Sequence, residues 1–144
     1  MLHLRRLAAI AVVILATCAA ARAQSYVVSP KASDETKAAV AAGRAPEHGF
    51  PEIEDVDWSA PATVHPGTRI AATVVTSSNV HYVEGRVKYW NVALTEIAPG
   101  RFKLNYRIPL LPPSAIGHWN VEVIARSVDG VETKRSFPVT YTYF

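Results

Sequence analysis

Residues 117–143 read GHWNVEVIARSVDGVETKRSFPVTYTY, and the alternation within this stretch decides the fold. Trp119, Val121, Val123 and Ala125 alternate with Asn120, Glu122, Ile124 and Arg126. Phe137, Val139, Tyr141 and Tyr143 repeat at the same period beyond Asp129-Gly130. A period of two marks a strand with one apolar face, and two such runs around Asp-Gly predict a hairpin. Its loop length matters, because a one-residue slip turns every side chain to the opposite face. A two-residue Asp129-Gly130 turn would set Val128 against Val131 and Phe137 against Glu122, placing the aromatic stripe on the polar face. A three-residue loop, Val128-Asp129-Gly130 with a left-handed glycine, sets Val121 against Phe137 and Trp119 against Val139. The pattern predicts the second arrangement. Pro138 has no N–H to give to a ladder, so the returning strand is expected at an edge or a bulge.

The same reading extends towards the N-terminus. Phe102, Leu104, Tyr106 and Ile108 alternate with Arg101, Lys103, Asn105 and Arg107, a half-buried strand with one wet face. Ala98-Pro99-Gly100 predicts a hairpin joining it to a strand over 91–97. Residues 80–90 form another run, in which Gly85 suggests a bulge. Residues 68–76 are rich in β-branched side chains and follow a turn at His65-Pro66-Gly67. A first strand is expected within 53–59, and residues 110–116, with Pro112-Pro113, serve as a crossover loop. About seven short strands with frequent turns and almost no helix predict an all-β, antiparallel β-sandwich. Its expected core includes Val74, Val87, Leu94, Phe102, Leu104, Tyr106, Trp119, Val121, Val123, Phe137 and Val139.

Gly100-x-Phe102, Gly117-x-Trp119-x-Val121-x-Val123-x-Ala125, Asp129-Gly130 and Phe137-x-Val139-x-Tyr141 together resemble the end of bacterial immunoglobulin-like and fibronectin-III-like domains, over residues 64–144. The resemblance implies an immunoglobulin-like sandwich and an extracytoplasmic setting. It implies no activity, since these residues record how a sandwich is built.

The chain divides into a leader at 1–23, an arm at 24–50 and the sandwich at 51–144. Arg5 and Arg6 precede an apolar run of 15 residues from Leu7 to Ala21, and Ala21-Arg22-Ala23 gives the small-x-small pattern of a signal peptidase site. That run is short for a membrane span, which needs about 20 residues. A periplasmic or secreted protein cut after Ala23 is therefore expected, with membrane contact only through an uncleaved leader. Leu15-Ala16-Thr17-Cys18 is similar to a lipoprotein box, with Thr17 where such boxes carry a smaller residue. Cys18 is the single cysteine and Met1 the single methionine of the whole sequence. The exported part thus has no thiol chemistry and no disulfide.

Of the 144 residues, 15 are Lys or Arg and 12 are Asp or Glu. Arg5, Arg6 and Arg22 make up that whole surplus, so charge gives no support for nucleic-acid binding. The balance hides an asymmetry. Residues 24–66 are acidic, with Glu52, Glu54, Asp55 and Asp57 close together, and residues 67–144 are basic. In the arm, Ser33 is placed to cap a short helix with Asp34 and Glu35 in its first turn and Gly43 at its end. The rest of the arm is expected to be flexible.

No residues predict catalysis. No serine lies on a G-x-S-x-G elbow, and Glu52-x-Glu54-Asp55-x-Asp57 lacks the looped spacing of a calcium site. On a regular strand Asp55 and Asp57 would share the face of Ile53. His48, His65, His81 and His118 lack close ligand spacing, although His81 and His118 could meet across strands. No cofactor and no metal are therefore expected. Copper carriers of the periplasm are similar in size and leader, but they use an N-terminal histidine or methionine clusters absent here. A small outer-membrane barrel is the other alternative, because the chain ends on an aromatic strand with a terminal Phe144. The leading expectation is a non-enzymatic binding or structural module of the cell envelope, recognising a protein or an anionic glycan. Arg86, Lys88 and Trp90 on one strand, with Arg101, Lys103 and Arg107 on another, would form a cationic face bearing a tryptophan if both strands lay in one sheet.

Overall fold

A computed structural model of the chain describes residues 25–88 and 90–144. The leader at 1–23 and the Ala23 cleavage site lie outside the described residues. Ten strands follow in order: β1 (Val27–Val28), β2 (Ile53–Ser59), β3 (Thr63–Val64), β4 (Arg69–Thr76), β5 (Val80–Val87), β6 (Trp90–Ala93), β7 (Thr95–Ala98), β8 (Arg101–Arg107), β9 (Gly117–Ser127) and β10 (Val131–Tyr141). One helix, α1 (Asp34–Ala41), lies between β1 and β2, and a single 3₁₀ turn at Pro113–Ala115 sits in the loop before β9. The strands form two open sheets rather than a closed barrel. The first sheet runs β1-β10-β9-β5-β6, with β3 also on β10, and the second runs β2-β4-β8-β7. All ladders are antiparallel except β3 on β10.

The β9–β10 hairpin has the predicted register, with Phe137 opposite Val121 and Val139 opposite Trp119. Val128-Asp129-Gly130 is the loop, Gly130 has φ +81°, and the Val131 amide donates to Ser127 Oγ at 3.2 Å. Pro138 sits on the outer side of β10 where neither β1 nor β3 pairs, so its missing N–H breaks no bond. The predicted β7–β8 hairpin forms with Ala98 opposite Arg101. A main core of Ile53, Val74, Val83, Phe102, Leu104 and Val123 joins the two sheets, and a second cluster around Ile70, Ile108 and Tyr141 closes one end.

Several expectations are corrected. The run 80–90 is not one strand, because the chain reverses between Val87 and Trp90, which pair with one another. The run 91–97 is divided as well: β6 belongs to the first sheet and β7 to the second, with buried Leu94 between them. These divisions, with the two-residue strands β1 and β3, raise the count from seven to ten. Gly85 pairs regularly with both Val92 and Val123, and the bulge of β5 lies at residue 81. A bulge in β2 makes Glu54 the extra residue, so Asp55 and Asp57 point outwards while Ile53 is buried.

The described part of the arm lies against the sandwich. β1 adds to the edge of β10, Ser33 Oγ accepts the Thr36 amide as the helix cap, and Tyr26 stacks on Phe50 at 4.3 Å. Asn79 Nδ2 donates to the carbonyls of His48 and Gly49, at 2.9 and 3.0 Å. Asp129 accepts both the His48 amide and a bond from its ring Nδ1, each at 2.8 Å.

Candidate functional site

The most developed concavity lies between the sheets at the end away from the β9–β10 loop. It exists because a sheet parts there. β9 starts at Gly117, yet its ladder with β5 ends at the pair Arg86–Glu122, so residues 117–121 have no partner on that side. Beyond that pair lies a cavity of about 70 Å³. A site for one water needs only about 10–15 Å³ by the same kind of measure. Trp58 of β2, Trp90 of β6 and Trp119 of β9 stand around it, with Val87, Tyr106, Leu111, Val121, Val139 and Tyr141 completing the wall.

Three polar side-chain atoms at or beside this wall are already engaged. Trp119 Nε1 donates to the Ala115 carbonyl at 2.6 Å. Tyr141 Oη accepts the Leu111 amide at 3.1 Å, and Tyr143 Oη donates to the Leu111 carbonyl at 2.8 Å. Among the described residues no buried side-chain nitrogen or oxygen lacks a partner. The lining is almost wholly apolar, so the cavity offers chiefly dispersion contact and desolvation to a ligand. Exposed Leu110 and Ile116, on the loop that supplies Leu111, extend the apolar character to the surface.

The six residues expected to form one cationic face are separated. Arg86 and Lys88 belong to the β5 side of the first sheet, whereas Arg101, Lys103 and Arg107 lie on β8 of the second. Trp90 pairs with Val87 and turns inwards to the cavity, because the reversal between the two changes which face it occupies. Arg86 is bound to Glu84, which is 2% exposed and also accepts from Tyr82 Oη and Asn91 Nδ2, both at 2.9 Å. Burial pushes the Glu84 carboxyl up, but the bonds from Asn91, Tyr82 and Arg86 outweigh it and hold it below the usual carboxylate range. What remains on one face is the β8 set, joined by Arg69 directly opposite Arg107.

The histidines do not converge. His81 lies near one end of the β5–β9 ladder and His118 beyond its other end, where His118 Nδ1 bonds Thr140 Oγ1 at 2.9 Å. His48, Glu47 and Asp129 do come together, with ligand atoms within 4.8 Å of one another. Separated by 81 positions, His48 and Asp129 share no sequence signal. The ring's hydrogen bond to Asp129, and then its charge, raises the His48 pKa above that of a free imidazole. For Asp129, burial acts upwards, but the His48 ring and amide bonds lower the pKa overall.

The sequence placed Val87, Tyr106, Trp119, Phe137 and Val139 in the core, and all five are half-buried. Four of them line the cavity, which is the reason. The available signal was the aromatic surplus near the strand ends at Trp58, Trp90, Tyr106 and Trp119. Among the described residues no helix is long and apolar enough to cross a membrane.

No protein-family model matches the chain, and no curated protein matches it. Among solved structures it is similar to a DUF4785 family protein from Legionella pneumophila, at 14% identity and a TM-score of 0.49. That likeness covers 61% of this chain, which spans only 28% of the other protein. The assignment of a β-sandwich rests on the strand ladders themselves.

Proposed function

We propose that the chain is an exported, non-enzymatic binding module of the bacterial envelope, an immunoglobulin-like sandwich that recognises a protein partner through its inter-sheet cavity. The observation that carries this reading is the aromatic-walled hollow where β5 leaves β9. A concave apolar site with rigid walls suits a single apolar side chain from a partner. The anionic-glycan alternative loses support, since its cations and its tryptophan do not share a face.

The test uses an uncharged fluorescent probe, N-phenyl-1-naphthylamine, titrated into the chain freed of its leader. Saturable enhancement is expected. Val121→Trp, which fills the hollow, is expected to weaken binding at least about tenfold, the loss of roughly 1.4 kcal/mol. Equal binding by a folded Val121→Trp protein would overturn the reading. A metal carrier is the competing reading, favoured only by the Glu47, His48 and Asp129 grouping. Calorimetric titration with copper and zinc separates the two, because stoichiometric binding lost in His48→Ala would support the carrier.

A further inference from the structure

The outer face of the second sheet carries acids on β2 and bases on β8, with Arg69 of β4 opposite Arg107 at one end, and the register places them row by row. Asp55 pairs with Val75, which pairs with Arg101. Asp57 pairs with Thr73, which pairs with Lys103. Ser59 pairs with Ala71, which pairs with Asn105. Each row thus reads acid, small residue, base in the first two cases, and polar, small, polar in the third. Asp55, Asp57, Arg101 and Lys103 are all exposed, and among the described residues none makes an ion pair. With strands about 4.8 Å apart, the columns lie roughly 10 Å from each other with β4 between them, and among the described residues no ion pair spans it. Within a column, same-sign side chains two residues apart sit about 7 Å from one another and repel.

We propose that this face binds a second copy of the chain. A two-fold axis lying over β4 and nearly parallel to it exchanges the columns while keeping the rows. β2 of one copy then lies over β8 of its partner, Asp55 meets the partner's Arg101, and Asp57 meets the partner's Lys103. The middle column meets itself: over these three rows its side chains Ala71, Thr73 and Val75 let the sheets approach to the usual spacing of about 10 Å, while Arg69, one row further, faces its own copy at the rim, where water screens the two charges. The contact is isologous, so each row is used twice and four ion pairs form. Three strands over three rows cover roughly 300 Å² per copy on these spacings. A standard stable interface has about 800 Å² per partner, so this dimer is weak and held by charge. The inference is independent of the cavity, which lies between the sheets.

Sedimentation equilibrium on the leader-free chain tests it. A dimer is expected near 0.01 M salt, with its dissociation constant rising at least about tenfold at 0.5 M, as the Debye length falls from about 30 Å to a few Å. Asp57→Lys alone and Lys103→Asp alone are each expected to be monomeric under conditions where the parent chain dimerises, with unchanged circular dichroism. Mixing those two variants restores a dimer, and so does combining both changes in one chain, because the axis sets position 57 against position 103. A monomer at low salt and several hundred micromolar would overturn the proposal. So would a dimer indifferent to the single changes, or a mixture that fails to associate. Binding of a polyanion such as heparin by a monomer, lost in Lys103→Asp but not in Asp57→Lys, would assign the face to an anionic partner instead.

Discussion

Glu84 shows how much one buried carboxylate can organise. It stands on the outer face of the first sheet beneath Tyr82 and Arg86, and Asn91 reaches it from β6, so its oxygens tie two strands together. Arg126 lies 5.1 Å over the Tyr82 ring and bonds Glu132 through Nε at 2.7 Å, which extends the network to β9 and β10. Glu84→Gln keeps the shape but removes the charge that Arg86 and Tyr82 meet, and a cost of about 1–3 kcal/mol in urea unfolding at pH 7 is expected. Because the folded pKa is depressed, this stabilisation is present above the ordinary value of 4.5 and is lost as pH falls through the folded value. The difference between Glu84→Gln and the parent chain should therefore shrink from pH 7 to pH 3. A constant difference would show that charge is not what Glu84 supplies. His48 offers a second check. Its titration by NMR should lie above a free imidazole and return towards it in Asp129→Asn. The raised His48 value gives a contribution complete below pH 6.5 and lost as pH rises through the folded value, while the lowered Asp129 value gives one present above pH 3.8. The tie between arm and β9–β10 loop is thus strongest between those limits, and amide exchange near residue 48 should quicken from pH 6 to pH 8 beyond the intrinsic rate.

At the scale of elements, hairpins carried most of what could be read in advance. Alternation on both sides of Asp129-Gly130 left only one loop length that kept Trp119, Val121, Phe137 and Val139 on one face, and the ladder has that register. The cap at Ser33 and the span of β2 were equally legible, since both depend on side chains within a few residues. The reversal between Val87 and Trp90 was not. It lacks glycine, asparagine and proline, so nothing local separates it from a continuing strand. The bulges at Glu54 and residue 81 were also hidden, because an extra residue is defined only by what the neighbouring strand presents. The β7–β8 turn provides the element-scale test. Gly100 has φ +71°, and a Cβ there would lie 2.6 Å from the Thr76 carbonyl oxygen, whose own amide donates to the Gly100 carbonyl. Gly100→Ala must strain the backbone and break this contact, with an expected loss of about 2–3 kcal/mol. Gly43→Ala, in open space, should cost less despite a similar φ of +69°. Equal melting temperatures for the two would refute the steric argument.

The whole molecule is two sheets closed on one another, with Phe102 at 1% exposure in the core that joins them. The single cysteine leaves no intramolecular disulfide to help, so this packing and the outer-face networks carry the fold. Phe102→Ala is expected to cost about 3–5 kcal/mol, a large share of the 5–15 kcal/mol of a typical domain, and to be visible as loss of a cooperative thermal transition near physiological temperature. Retention of the parent melting temperature would mean that the sheets do not depend on this contact. The open edge of β10 is guarded, with exposed Lys134, Arg135 and Pro138 along the stretch between β1 and β3. Such residues discourage strand addition, which leaves the outer face of the second sheet as the better candidate for self-association.

The sequence by itself determined the faces of β8, β9 and β10, the hairpin register around Asp129-Gly130, the helix cap and the apolar set from which the core is drawn. Those follow from the period of the backbone and from side chains that act on their neighbours. Tertiary structure alone decided which strands share a sheet, and with that the separation of Arg86 from Arg101, the inward turn of Trp90 and the meeting of His48 with Asp129. It also decided the cavity, which exists only because β5 leaves β9 at Arg86. Sheet membership depends on pairing between distant segments, and alternation tells a residue which face it takes without telling it which sheet it has joined.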